Sequence, residues 1–140
     1  MEPKLYSASA PGSLMILGEH AVLRYRQAIV CAVEQRIFVC LLPQNNSQII
    51  IRTKEFGEFV TTIDKLAIQA PYEYVLGCLV AVQQQLNNGC IIEITAGFPA
   101  TIGLGSSAAV TVAMVAVLAK WLGVTLALPE IFINAKQVML

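Results

Sequence analysis

"PATIGLGSSAAVTVAMVAVLAKW", residues 99–121, places Gly-Leu-Gly-Ser-Ser directly before a long apolar run. The run from Val110 to Trp121 is about a dozen residues, too short for a bilayer that needs roughly 20, and reads as a buried helix over 106–122 that ends at Gly123. The N-terminus of such a helix carries unpaired N–H groups and a partial positive charge, which together attract phosphate. Gly103 and Gly105 let the backbone bend and let a bulky anion approach without a Cβ in the way. Ser106 and Ser107 add hydroxyls that can cap the helix, bind phosphate oxygens or ligate Mg²⁺, and Ala108 and Ala109 keep the first turn thin.

Several readings of this loop compete. A P-loop is excluded, because no Lys follows the glycines. "GLGSSA" fits the dinucleotide pattern G-x-G-x-x-A, yet "FPATI" separates it from the preceding strand. That pattern also calls for an acid at the end of a second strand about 20 residues on. Glu130, the nearest candidate, follows Pro129 at a helix start. A plain N-cap with glycines for turning remains, and on these residues alone it stands level with a phosphate cradle.

The rest of the chain supplies the frame. With 140 residues it suits one domain with a real core; 56% hydrophobic and 13% charged residues exclude disorder. Nine Lys+Arg balance nine Asp+Glu, so no basic surface points to nucleic acid. "MEPKLYSAS" lacks a signal-peptide pattern, no segment reads as a membrane span, and the cytoplasm is the expected location. Cysteines 31, 40, 78 and 90 form no C-x-x-C pair and are expected to be small core residues.

Strand signals fill the first half: "LYSASAP", "SLMIL", "QAIVCAV", "RIFVCLLP", "QIIIRT" and "EFVTTI", with "PQNNS" (43–47) as a hairpin signal. A helix is expected over 71–86, a strand over 90–98 and a last helix from "LPEIFINAKQVML". Strands first, with helices over one side, imply an α+β two-layer domain. The last helix reaches Leu140 without a capping signal and mean hydropathy is +0.68, which suggests that a further piece of protein covers part of this surface.

A second stretch bears on the loop. "APGSLMILGEHAVL" (10–23) sets Glu19 and His20, the chain's one histidine, side by side at a strand end. Together with Gly-Leu-Gly-Ser-Ser-Ala-Ala after a proline, it resembles the GHMP kinases, and "GEHAVL" is nearer to mevalonate kinases than to galactokinases. The resemblance runs from Ser7 to about Leu140. It implies the N-terminal, ATP-binding half of such a kinase over residues 1–140, with a fold like domain 2 of ribosomal protein S5. It also implies ATP and Mg²⁺ as cofactors and a small alcohol as substrate, mevalonate being converted to 5-phosphomevalonate. The cradle would be Gly103, Leu104, Gly105 and Ser106 on the β- and γ-phosphates, continued by Ala108 and Ala109. Ser107 would be the Mg²⁺ ligand, and Glu19 and His20 would lie on the substrate side.

Three features depart from the family pattern. Ser13 stands where mevalonate kinases usually carry a Lys after Ala-Pro-Gly, and "LRYRQ" follows "GEHAV" where a Gly is usual. The family's aspartate motif lies beyond Leu140, so no catalytic base is assigned here; Asp64, the only aspartate, reads as a solvated turn residue. The expected protein partners are the missing C-terminal half and a second copy of the chain. Other GHMP enzymes, such as sugar kinases, phosphomevalonate kinases or decarboxylase relatives, and a non-catalytic nucleotide-binding relative remain alternatives.

Overall fold

The computed structural model describes residues 4–18, 20–99 and 104–139. Five strands form one sheet: β1 (Tyr6–Leu17), β2 (Ile29–Pro43), β3 (Gln48–Thr53), β4 (Gly57–Thr62) and β5 (Cys90–Ala96), in the order β1-β2-β5-β3-β4. Three helices, α1 (Glu73–Ala81), α2 (Ser106–Trp121) and α3 (Leu128–Met139), complete an α+β two-layer domain.

Alternation along the strands decides which face is covered. Ile37, Val39 and Leu41 of β2, Ile49 and Ile51 of β3 and Ile92 of β5 are buried against the helices. Their neighbours on the other face, including Phe38, Val60 and Arg52, are exposed. That open face carries an ion-pair ladder in which the Arg52 guanidinium lies 2.8 Å from Glu58 and 3.6 Å from Glu93. Within the helical layer, Thr111, Met114 and Val117 of α2 and Leu76 and Leu79 of α1 are fully enclosed, and α3 packs on both helices.

Four expectations need correction. "PQNNS" turns the chain but makes no β2–β3 hairpin, because β5 lies between those two strands. β5 pairs antiparallel with β2 and parallel with β3, so that Ile92 stands opposite both Leu41 and Ile51. A strand as apolar as "CIIEI" gains more by burial at the sheet centre than at an edge, and the parallel β3–β5 pair is reached through a crossover that includes α1. Next, the first four expected segments fuse in pairs into two long strands, β1 and β2. β1 runs through Pro11, where the register with β2 shifts between Pro11 and Ser13; an edge strand tolerates proline because its outer side needs no donor.

The helix expected over 71–86 begins at Glu73 and ends at Ala81, with Pro71 in the preceding turn and a short 3-10 turn over Gln83–Gln85. Its end is tied down by Gln83, whose Nε2 donates to the Ile63 carbonyl at 2.7 Å. Finally, only two of the four free cysteines are core residues. Cys78 and Cys90 are buried, and burial pushes both thiols up to about 12, whereas Cys31 is exposed and Cys40 half-buried.

Beyond the helical layer, the ends of β1 and β2 continue as a two-stranded arm. It exposes Leu14, Met15, Ile16, Leu17, Ile29 and Val30. Among the described residues no helix is long and apolar enough to cross a membrane.

Candidate nucleotide site

The glycine-rich loop meets the register shift of β1. The Ser13 N–H donates to the Leu104 carbonyl at 2.7 Å, which pins the end of the loop onto the strand. Gly12 is buried in this contact: a Cβ there would stand 2.8 Å from the Leu104 oxygen and 3.0 Å from the Phe98 ring. Gly105 has φ +67, and a Cβ on it would stand 2.5 Å from the Ser13 hydroxyl. Two glycines on separate elements thus let strand and loop approach closely.

Gly105 is also the N-cap of α2, and no side chain caps the helix. The first intrahelical bond runs from the Ala109 N–H to the Gly105 carbonyl, at 3.0 Å. Among the described residues, the N–H groups of Ser106, Ser107 and Ala108 therefore have no acceptor. An anchored helix start with three free donors and no capping side chain fits an anion better than it fits a self-contained N-cap. Thr111, fully buried one turn on, donates its hydroxyl to the Ser107 carbonyl at 2.7 Å and stiffens this first turn.

Ser106 and Ser107 open onto a cavity of about 630 Å³. Its floor is apolar, built from Ile37, Ile94, Phe98, Val75 and Val110. One wall is the tip of the β3–β4 hairpin, residues 53–56, and another is the start of α1, residues 71–75. The buried Tyr72 locks these two walls together: its hydroxyl donates to the Phe56 carbonyl at 2.9 Å and its ring lies against Phe56 and Phe59. The strand and helix signals of the sequence point to neither wall. The signal available was the cluster of aromatic residues at 56, 59, 72 and 74.

The other site residues fall as follows. Leu104, Gly105, Ser106, Ser107 and Ala108 are half-buried at the loop, and Ala109 is buried beneath it. Gly103 and Glu19 lie outside the described residues. His20 is exposed, makes no side-chain cap to the short 3-10 turn Ala21–Arg24 that follows it, and is not part of the cavity lining. Asp64 is exposed far from the loop in sequence and accepts the Thr62 hydroxyl at 2.5 Å, a bond that holds its carboxyl below the usual range. It is the turn residue the sequence suggested. Among the described residues no cluster of three or more His, Cys, Asp or Glu side chains is poised to hold a metal. Ser106 and Ser107 both bring hydroxyl oxygens to the cavity, and hydroxyl oxygens are among the donors that Mg²⁺ accepts.

Comparison with known proteins bears on the family and the fold. Residues 73–139 match the model of the GHMP kinases N terminal domain. The mevalonate kinase of Thermococcus onnurineus is 31% identical over 138 residues, which cover 89% of this chain and 41% of that protein. The chain therefore spans about two fifths of the length of the curated relatives it matches. Among solved structures, the mevalonate kinase of Methanococcus jannaschii superposes with a TM-score of 0.86 at 20% identity, over 96% of this chain and 46% of that one. Galactokinase of Lactococcus lactis, complexed with galactose, superposes with a TM-score of 0.82 at 16% identity, over 97% of this chain and 37% of that one. At such identities the structural likeness speaks for the fold alone. Matched segment and fold converge: the chain has the fold of the N-terminal half of a GHMP kinase, and in sequence it is similar to mevalonate kinases.

Proposed function

We propose that this chain is the nucleotide-binding half of an ATP-dependent phosphotransferase that phosphorylates a small alcohol, with mevalonate as the first candidate. The observation that carries the proposal is the uncapped start of α2, pinned by Leu104 onto β1 and opening into the cavity. In this reading the amides of Gly103, Leu104, Gly105 and Ser106 hold the β- and γ-phosphates, with Ala108 and Ala109 shaping the first turn. Ser107 ligates Mg²⁺, which when bound neutralises triphosphate charge. The apolar part of the cavity takes the nucleoside, and Glu19 and His20 belong to the alcohol side. Phosphoryl transfer needs positioning and charge neutralisation more than covalent chemistry, and a rigid backbone cradle supplies the first.

The sequence likeness to mevalonate kinases favours mevalonate over the other alcohols of the family. The galactokinase fold match keeps a sugar as the second reading. The apolar arm of β1 and β2 is the surface we assign to the remainder of a full-length kinase, or to a second copy of the chain. The test is binding of Mg·ATP to the 140-residue protein and to Ser107→Ala. The variant is expected to lose most of the Mg²⁺ dependence while keeping its fold; an unchanged affinity and unchanged Mg²⁺ dependence would remove Ser107 from the site.

A further inference from the structure

Thr111 is the one fully buried polar side chain among the described residues. The enclosed positions that follow it on α2, Met114, Val115, Val117 and Leu118, are all apolar. Its hydroxyl donates to the Ser107 carbonyl, one turn back, at 2.7 Å. A bond of this kind brings a helix no gain in stability and tends to bend it. A valine of the same shape would fill the site with no polar atom to satisfy. Neither helix formation nor packing therefore accounts for the hydroxyl.

What the bond changes is the peptide group that receives it. In helical register the Ser107 carbonyl takes the Thr111 N–H, and the hydroxyl adds a second donor. The other end of that peptide is the Ala108 N–H, one of the three donors left without an acceptor at the start of α2. Among the described residues no side chain donates to the Gly105 or Ser106 carbonyl, whose peptides carry the other two. We propose that Thr111 is a positioning residue of the phosphate site. Its hydroxyl fixes the Ser107–Ala108 peptide with the N–H directed out of the helix start, and polarises it, so that Ala108 grips a phosphate oxygen more strongly than an unassisted amide does. This rests on the nucleotide reading given above, and it extends the cradle through a side chain that never touches the ligand.

The experiment titrates the 140-residue protein, Thr111→Val and Thr111→Ser with inorganic tripolyphosphate and with Mg·ATP, and records their urea midpoints and Ala108 amide signals. Thr111→Val keeps the shape and is expected to unfold close to the wild-type midpoint, yet to bind both ligands about threefold more weakly, as one charge-assisted bond loses its cooperative strengthening. Thr111→Ser keeps the hydroxyl and loses a buried methyl, so its midpoint should fall while its affinity stays at the wild-type value. A merely structural threonine would give the reverse, with affinity following stability. The downfield shift of the Ala108 amide proton on binding should shrink in Thr111→Val and return in Thr111→Ser. In the wild type it should exceed those of Ser106 and Ser107. Wild-type affinity in Thr111→Val, or affinities that rank with the midpoints, overturns the role of Thr111 and leaves the phosphate site standing. If Thr111→Val does not fold, an Ala108 shift in the wild type no larger than those of Ser106 and Ser107 overturns it likewise. Binding of neither ligand by the wild type overturns the nucleotide reading and this inference with it.

Discussion

Ser13 and Gly105 touch across the junction of strand and loop: the Ser13 N–H holds the Leu104 carbonyl at 2.7 Å, and its hydroxyl lies 2.5 Å from where a Cβ on Gly105 would stand. Gly105→Ala is therefore expected to destabilise the protein twice over. The left-handed backbone costs about 1–2 kcal/mol for any residue with a Cβ, and the steric conflict with Ser13 adds to it. Ser13→Ala should restore part of the loss in the double variant, since it removes the atom in conflict. Urea midpoints of the four proteins check this; additive effects would mean that the two residues are not in contact.

Position 13 also bears on catalysis. Where mevalonate kinases usually carry a Lys, this chain places a serine hydroxyl against the loop. Supplied with Mg·ATP and mevalonate, the 140-residue protein is expected to show no sustained release of ADP, because Ser13 stands where the resemblance calls for a cation beside the transferred group. Turnover near that of ordinary kinases, abolished by Asp64→Asn, would contradict both this expectation and the reading of Asp64 as a turn residue.

The walls of the cavity depend on one phenol. Tyr72→Phe deletes the 2.9 Å bond to the Phe56 carbonyl and retains the ring packing. A loss of about 1 kcal/mol in stability is expected, together with faster amide exchange confined to the β3–β4 hairpin. Unaltered exchange at residues 53–57 would show that the hairpin is held by other contacts.

Burial of Cys78 and Cys90 sets a pH response. In the folded protein both thiols stay neutral until about pH 12, while in the unfolded chain they ionise near their ordinary value of 9.0. The unfolded state thus binds fewer protons across that interval, and stability is expected to fall as pH rises from about 9 towards 12. At neutral pH a thiol reagent should label exposed Cys31 first and reach Cys78 and Cys90 only on unfolding. Equal labelling of all four in the native protein would contradict the packing of α1 and β5.

The glycine turn at the start of α2 was legible because glycine, serine and a long apolar run make one local pattern whose physics needs no distant partner. The α+β layering followed from strand and helix periods. Strand order was not legible: "PQNNS" is a good turn, but a turn does not say that β5 will enter beside Leu41 and Ile51. The cavity walls escaped for the same reason. Phe56, Tyr72 and Glu73 come together only once the crossover through α1 is made, and their spacing in sequence carries no period.

The central claim is that the start of α2 is a phosphate site. It is tested most directly by recording amide spectra of the ¹⁵N-labelled protein during titration with Mg·ATP. The account predicts saturable shifts that begin at Leu104, Gly105, Ser106, Ser107 and Ala108, extend to the cavity walls at 53–56 and 71–75, and are reproduced at the loop alone by inorganic tripolyphosphate. Saturable binding that leaves the loop amides unmoved, or no binding at millimolar nucleotide, would contradict it.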